Sequence, residues 1–173
     1  MMQKFLWGIL FTLVVIVICA FLVVRGGYFN FSADTETSPL EKKIAMSAMD
    51  KSTERRAPQT SNPLQPNDDT LIAGARLYRD NCAGCHGDPS HMATQLGDSF
   101  NPPVPQFWMD APDMPENENF YIIKHGVRWT GMPSWNKKLS DTQIWQVVTL
   151  LSHLDKLPDS VNQELQKPAP ASN

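Results

Sequence analysis

The stretch NCAGCHGDPS, residues 81–90, decides how the rest of the chain is interpreted. Cys82 and Cys85 stand three positions apart, and His86 follows the second cysteine directly. Three kinds of site use this spacing: a redox-active dithiol, half of a zinc site, and a site that holds a haem covalently. The remainder of the sequence has to decide among them.

Two of these alternatives find little support. A redox-active dithiol usually opens a helix beside a strand in a βαβ unit, but here the cysteine pair follows a predicted helix and no strand pattern is apparent. Zinc commonly takes its four ligands from two cysteine pairs, or from one pair and two histidines at a regular spacing. No second Cys-x-x-Cys pair is present, and His91, His125 and His153 are scattered.

The complete pattern Cys-x-x-Cys-His is the attachment signature of a c-type haem. Two thiols three positions apart can add to two vinyl groups on one edge of the porphyrin. The histidine that follows is then delivered to the iron from one face. The spacing therefore predicts one covalently bound haem c on Cys82 and Cys85, with His86 as a ligand of the iron.

The chain begins with a long apolar run, FLWGILFTLVVIVICAFLVV, at residues 5–24. This run carries no charge, is flanked by Lys4 and Arg25, and at ~1.5 Å per residue spans a hydrocarbon core of about 30 Å. A secretory signal has a shorter apolar region, usually about 7–15 residues, before a small-residue cleavage site. We therefore expect residues 1–29 to be an uncleaved transmembrane anchor.

Composition divides the rest of the chain into three parts. Residues 30–67 are rich in Ser, Thr, Pro and Asn and are expected to form a periplasmic tether, in which 40–57 is either a helix or a flexible charged spacer. Residues 68–158 are expected to form the haem domain. The polar, proline-containing stretch 159–173 is expected to be a flexible tail.

Three helices are predicted in the haem domain. DDTLIAGARLYRDN (68–81) opens with two acidic residues, ENENFYIIKH (116–125) stops at Gly126, and a capping box from Ser140 to Gln143 begins the last helix. The segment between the first two helices is rich in Pro, Asp and Gly. A domain of about 90 residues with so long a loop buries little apolar surface, so we expect a bound apolar group at its centre.

From Gly74 onward the chain resembles the class I c-type cytochromes. GARLYRDNCAGCHG resembles the first helix and haem motif of that family, IIKHGVRWTGMPSW its distal-ligand segment, and SDTQIWQVVTLLSHL its closing helix. The anchor and tether resemble those of membrane-bound, single-haem bacterial members. The resemblance implies an all-α fold of three or more short helices and loops around one haem. It also implies that Gly74 and Tyr78 cross against Trp145.

Met132 is the predicted sixth ligand of the iron. It lies far enough along the chain from His86 for the loop to pass over the ring edge, and TGMP resembles the ligand motif of the family. Gly131 lets the backbone approach the ring closely, and Pro133 stiffens the loop. His125 is the alternative ligand.

The second ring nitrogen of His86 needs an acceptor that fixes the orientation of the ring. The resemblance implies that this acceptor is a proline carbonyl in the loop after the haem motif. The stretch NPPVPQF offers Pro102, Pro103 and Pro105, and the sequence does not choose among them.

The expected function is electron transfer between redox proteins. With His86 and Met132 both bound, the iron has no open position, which argues for an electron carrier rather than an enzyme. Covalent haem attachment occurs outside the cytoplasm, so we expect the haem domain in the bacterial periplasm and the anchor in the inner membrane, with a cytoplasmic N-terminus. Two alternatives remain: a cytochrome subunit of a larger membrane dehydrogenase or oxidase, and a haem-based gas or redox sensor.

Charge gives a weaker indication of the partner. The formal net charge of −3 is mild and no basic patch has interleaved aromatic residues, so nucleic acid is not expected as a partner. Four cations lie near the predicted Met132 ligand in sequence: Lys124, Arg128, Lys137 and Lys138. They favour docking to an acidic surface of a redox partner, although a merely solvated surface fits them as well.

Overall fold

The computed structural model describes residues 2–168, and within that range it contains helices and loops but no strand. The α-helices in chain order are α1 Met2–Arg25, α2 Pro39–Arg56, α3 Asp68–Asn81, α4 Ala83–His86, α5 Gln95–Asp98, α6 Glu116–His125, α7 Asp141–Leu151 and α8 Asp159–Leu165. A short 3₁₀ helix, Leu154–Lys156, lies between α7 and α8. The chain divides into two units, one that runs to Thr35 and one that begins at Glu36.

The first unit consists mainly of helix α1. This helix has 24 residues, all of them exposed, and it is long and apolar enough to cross a membrane. At ~1.5 Å per residue its length exceeds the hydrocarbon core of about 30 Å. A membrane anchor and a signal sequence both have these properties.

The second unit is built on the crossing of α3 and α7. Helix α3 begins after the cap residue Asn67, whose side chain accepts a hydrogen bond from the Thr70 N–H at 2.9 Å. Helix α7 begins with the predicted capping box of Ser140 and Gln143. The buried core of this unit consists of Leu71, Ala75, Tyr78, Phe120, Ile123, Leu139, Ile144, Trp145, Val147, Val148, Leu150, Leu151, Val161 and Leu165.

A glycine permits the close approach of α3 and α7. A Cβ atom at Gly74 would meet the Gln146 carbonyl, and Leu150 lies beside it. The resemblance implied that Gly74 crosses against Trp145. Gly74 does lie against α7, but its nearest neighbours there are Gln146 and Leu150. The ring that stacks on Trp145 is Phe120 of α6, at 4.2 Å between centroids.

The segment expected to be a tether is largely part of the second unit. Helix α2 occupies the region where a helix or a charged spacer was expected, and both Thr53 near its end and Ala57 after it are buried. The Asn117 side chain donates to the Pro58 carbonyl at 3.0 Å. The compact unit thus begins well before residue 68, because this part of the chain packs against α6.

The prediction of a flexible tail from residue 159 is wrong for its first part. Residues Asp159–Leu165 form α8, and Val161 and Leu165 are buried in the core. Glu164 joins this helix to α3 through an ion pair with Arg79, at 2.9 Å between oxygen and nitrogen. Apolar residues four apart share one face of a helix, so this face packs against α3. The rest of the predicted tail, from residue 169, lies outside the described residues.

Candidate haem site

The two cysteines lie on one short turn of helix. Cys82 follows α3 and caps α4, and its carbonyl accepts hydrogen bonds from the N–H groups of Cys85 at 3.0 Å and His86 at 2.9 Å. Both thiols are free and half-buried. A single turn therefore presents two thiols and an imidazole together, as covalent attachment of a haem requires.

The electrostatics of this turn disfavour a redox-active dithiol. Burial raises the pKa of the Cys82 thiol to about 12, and the neighbouring Cys85 adds to the effect. Reactive dithiols instead have a thiol whose pKa is lowered, because the thiolate is the nucleophile. In the part of the chain that the structure describes, no group of three or more His, Cys, Asp or Glu side chains is arranged to hold a metal ion.

The imidazole of His86 is held in one orientation, and its surroundings favour the neutral form. Its Nδ1 lies 2.8 Å from the Pro105 carbonyl, which can only accept, so Nδ1 carries the proton. Burial lowers the pKa of His86, and this effect outweighs the opposing effect of the hydrogen bond. The ring also stacks on Phe107, with 4.3 Å between centroids and 8° between planes. The Nε2 lone pair is thus left available for a metal.

The proximal segment, residues 82–107, is tied together by hydrogen bonds to its backbone. The Cys85 carbonyl accepts from Thr94 Oγ1 at 2.9 Å and from Gln106 Nε2 at 3.0 Å. The His86 carbonyl accepts from the Phe107 N–H at 3.2 Å. The roles of Thr94, Gln106 and Phe107 are not predictable from the sequence, because local spacing carries no signal for contacts made across a loop.

Tyr78 adds a buried hydrogen bond to the same segment. Its hydroxyl donates to the Gly87 carbonyl at 2.8 Å, from a position with no exposed surface. Burial raises the pKa of Tyr78, so the hydroxyl stays protonated and remains a donor. Gly87 has φ of 79°, a left-handed conformation that suits glycine and lets the chain turn away after His86.

The distal loop, residues 126–135, carries Met132. The chain turns out of α6 at Gly126, where φ is 67°, and the Val127 N–H donates to the Met132 carbonyl at 3.2 Å. The Met132 N–H donates to Thr130 Oγ1 at 3.1 Å. Gly131 lies against the ring of Phe100, where a Cβ atom would meet the ring carbons.

Met132 and the alternative ligand His125 differ in exposure. Met132 is half-buried, and it packs against the same core cluster as Cys82. His125 is exposed at the end of α6, where its ring contacts Tyr121 at 4.5 Å between centroids. Met109 is 68% exposed. Cys82 and Met132 border one apolar core, and the two thiols, the His86 imidazole and the Met132 thioether form a donor set that fits a haem.

The all-helical fold of the described residues and the Cys-x-x-Cys-His turn fit a small c-type cytochrome domain of the class I type. Residues 69–151 match the family model described as cytochrome c oxidase, cbb3-type, subunit III. The match covers α3 through α7 and so includes both cysteines, His86 and Met132.

Similarity to solved structures is more distant. A chain of the reducing HAO-like protein complex of Kuenenia stuttgartiensis is 23% identical, with a TM-score of 0.43 over 58% of this chain and 52% of that chain. This chain therefore spans about half the length of that relative. No curated protein matches the sequence.

Proposed function

We propose that this chain carries single electrons through one haem c held by thioether bonds to Cys82 and Cys85. His86 and Met132 are the proposed ligands on the two faces of the iron. The haem would supply a one-electron redox couple. The observation that carries this proposal is the His86 ring, whose Nδ1–H is held by Pro105 at 2.8 Å so that Nε2 is free to bind the iron.

The two proposed ligands have different effects. A histidine whose second nitrogen donates to a carbonyl is a better electron donor and keeps one ring orientation. The Met132 thioether raises the reduction potential relative to a second histidine. With both ligands bound, the iron has no position for a substrate, which favours an electron carrier over an enzyme.

The proposed location is the outer face of a bacterial inner membrane. Covalent haem attachment takes place outside the cytoplasm, so the second unit belongs in the periplasm. Helix α1 is long enough to act as a single-pass anchor with a cytoplasmic N-terminus. The proposed partners are redox proteins that give electrons to the domain and take them from it.

Membership of a larger complex is the second candidate function. The matching family is described by its place as a subunit of an oxidase. A domain of this kind can pass electrons to a catalytic subunit in the same assembly. Extraction in a mild detergent followed by size analysis separates the two cases, since a subunit co-purifies with its complex and a free carrier does not.

The covalent attachment is tested by mass spectrometry of the denatured chain expressed with haem-maturation proteins. We expect the mass of one haem added to the chain, resistant to extraction by acidified acetone. The double variant Cys82→Ala/Cys85→Ala should lose this mass, whereas the control Cys19→Ala should keep it. No added haem, or haem that is extracted, would contradict the proposal.

A further inference from the structure

An exposed tryptophan occupies the tip of the distal loop. Trp129 is 91% exposed, and its φ of 62° is unusual for a bulky residue. Both features cost free energy, because the backbone is strained and a large apolar ring faces water. Neither cost is offset by packing of the indole in the structure. A contact outside the chain would give this side chain a role.

The hydrogen bonds of the distal loop hold Trp129 in this position. The Thr130 hydroxyl donates to the Val127 carbonyl at 2.8 Å and accepts from the Met132 N–H at 3.1 Å. The Val127 N–H donates to the Met132 carbonyl at 3.2 Å. These bonds close the loop around Trp129, so the indole is presented from the same hydrogen-bonded turn that carries the proposed iron ligand.

Three exposed cations lie close to this tryptophan in sequence. Lys124 is paired with Asp141 at 2.7 Å, which leaves Arg128, Lys137 and Lys138 without an acidic partner among the described residues. The Lys138 ammonium lies over the ring of Trp135, 5.2 Å from its centroid, which keeps it near the loop. The segment around Met132 therefore combines one apolar ring with uncompensated positive charge.

We propose that Trp129, Arg128, Lys137 and Lys138 form the docking surface for a redox protein with an acidic face. This proposal rests on the proposed function. The cations increase the rate of encounter with an acidic partner, and the indole gives the close apolar contact of the docked complex. The position beside Met132 favours a protein over a membrane, since a bilayer on this surface would block electron exchange.

The charge part of the proposal is tested by stopped-flow electron exchange between the full-length haem protein and a small acidic blue-copper protein. We expect the second-order rate constant to fall about tenfold or more from low to high ionic strength. The variant Arg128→Gln/Lys137→Gln/Lys138→Gln should lose most of this dependence. The matched control Lys42→Gln/Lys43→Gln/Arg55→Gln removes three exposed cations from α2 and should keep it.

The contact part of the proposal is tested with Trp129→Ala and Trp129→Gly. Both variants should slow electron exchange several-fold at every ionic strength, with an unchanged absorption spectrum and reduction potential. Glycine accepts φ of 62° without strain, so Trp129→Gly should not lower the melting temperature. A structural role for the indole predicts the opposite, a fall in melting temperature. The control Phe31→Ala removes an exposed aromatic ring elsewhere.

Three results would overturn the proposal while leaving the proposed function intact. The first is a rate constant for electron exchange, and a dependence on ionic strength, that are the same in all variants and in the unaltered protein. The second is faster exchange with a basic blue-copper protein than with the acidic one. The third is electron exchange that is slower in nanodiscs containing phosphatidylglycerol than in nanodiscs of phosphatidylcholine alone. If this slowing requires the three cations, the surface binds the membrane. Failure of the protein to accept electrons from dithionite would instead contradict the proposed function.

Discussion

The two segments that supply the proposed iron ligands are held in different ways. In the proximal segment, the consecutive carbonyls of residues 85–87 accept hydrogen bonds from groups outside the haem motif, and Pro105 holds the His86 ring. In the distal loop, the backbone of Met132 bonds to Val127 and Thr130, which both lie in the same loop. The backbone around the proximal ligand is therefore held by bonds from distant parts of the chain, and the backbone of the distal ligand is held by a local turn.

This difference indicates which of the two proposed iron ligands keeps its position when one hydrogen bond is removed. A ligand fixed by several long-range hydrogen bonds keeps its place even when one bond is removed, because the remaining bonds still define its position. A ligand on a locally closed loop is displaced more easily, since local opening breaks few contacts. The predictions below test this asymmetry, beginning with the largest effect.

Removal of His86 should have the largest effect. We expect His86→Ala to reduce the yield of haem-bearing protein at least about tenfold, because the ligand that orients the haem is lost. Met132→Ala should keep most of its covalent haem, since both thiols and the proximal histidine remain. Haem staining of membranes after gel electrophoresis, normalised to total protein, measures both yields. Equal losses in the two variants would contradict the asymmetry.

Loss of the Tyr78 hydroxyl should destabilise the proximal segment. Tyr78→Phe leaves the buried Gly87 carbonyl without its donor and should lower the free energy of unfolding by about 1–3 kcal/mol. Chemical denaturation followed by circular dichroism gives this value. Tyr121→Phe is the matched control, because the Tyr121 hydroxyl makes no hydrogen bond within the described residues. A Tyr78→Phe variant as stable as this control would show that the bond contributes little.

A methyl group at Gly131 should weaken the distal side alone. Gly131→Ala places a carbon against the Phe100 ring and should cost about 1–2 kcal/mol, measured as easier displacement of Met132 by added imidazole. The double variant Gly131→Ala/Phe100→Ala removes the clash and should recover part of the loss. Gly84→Ala in the proximal helix meets no atom within 4 Å and serves as the control. Equal imidazole affinities for the Gly131 and Gly84 variants would rule out the clash.

The ion cluster that holds α8 predicts a small pH effect. Hydrogen bonds from Lys167, Arg76 and Arg79 hold the pKa of Glu164 at about 2, although burial opposes them. An unfolded glutamate titrates at about 4.3, so the stabilisation is complete above that pH and is lost as the pH falls towards 2.

The variant Glu164→Gln should lose about 1–2 kcal/mol at neutral pH. Its difference from the unaltered protein should shrink between about pH 5 and pH 2, as thermal unfolding at a series of pH values will show. Glu54→Gln alters an exposed pair on α2 and should show little difference. A Glu164→Gln difference that stays constant across this range would contradict the assignment.

Local signals predicted helices better than they predicted packing. The capping box at Ser140 and the stop at Gly126 were read correctly, because both depend on residues within one turn. The chain near Thr53 and the helix around Val161 were misjudged, because their burial depends on partners far away in sequence. A short polar segment is therefore predicted to be flexible when the sequence does not show which surface it packs against.

The site shows the same limit. The motif predicted Cys82, Cys85 and His86 as neighbours because the spacing itself places them on one turn. The choice of Pro105 among three prolines needed the folded loop, since all three have the same local character. The strained Trp129 had no signal in the sequence, because positive φ in a bulky residue arises from the closure of the loop around it.

An absorption spectrum with and without carbon monoxide is the most direct test of the proposed His86 and Met132 ligation. The oxidised protein should show the weak far-red band of an iron–sulfur bond, and the reduced protein should not bind carbon monoxide. Met132→Ala should lose the band and bind carbon monoxide, and the control His125→Ala should behave as the unaltered protein. Ready binding of carbon monoxide by the unaltered protein, or loss of the band in His125→Ala, would contradict the account.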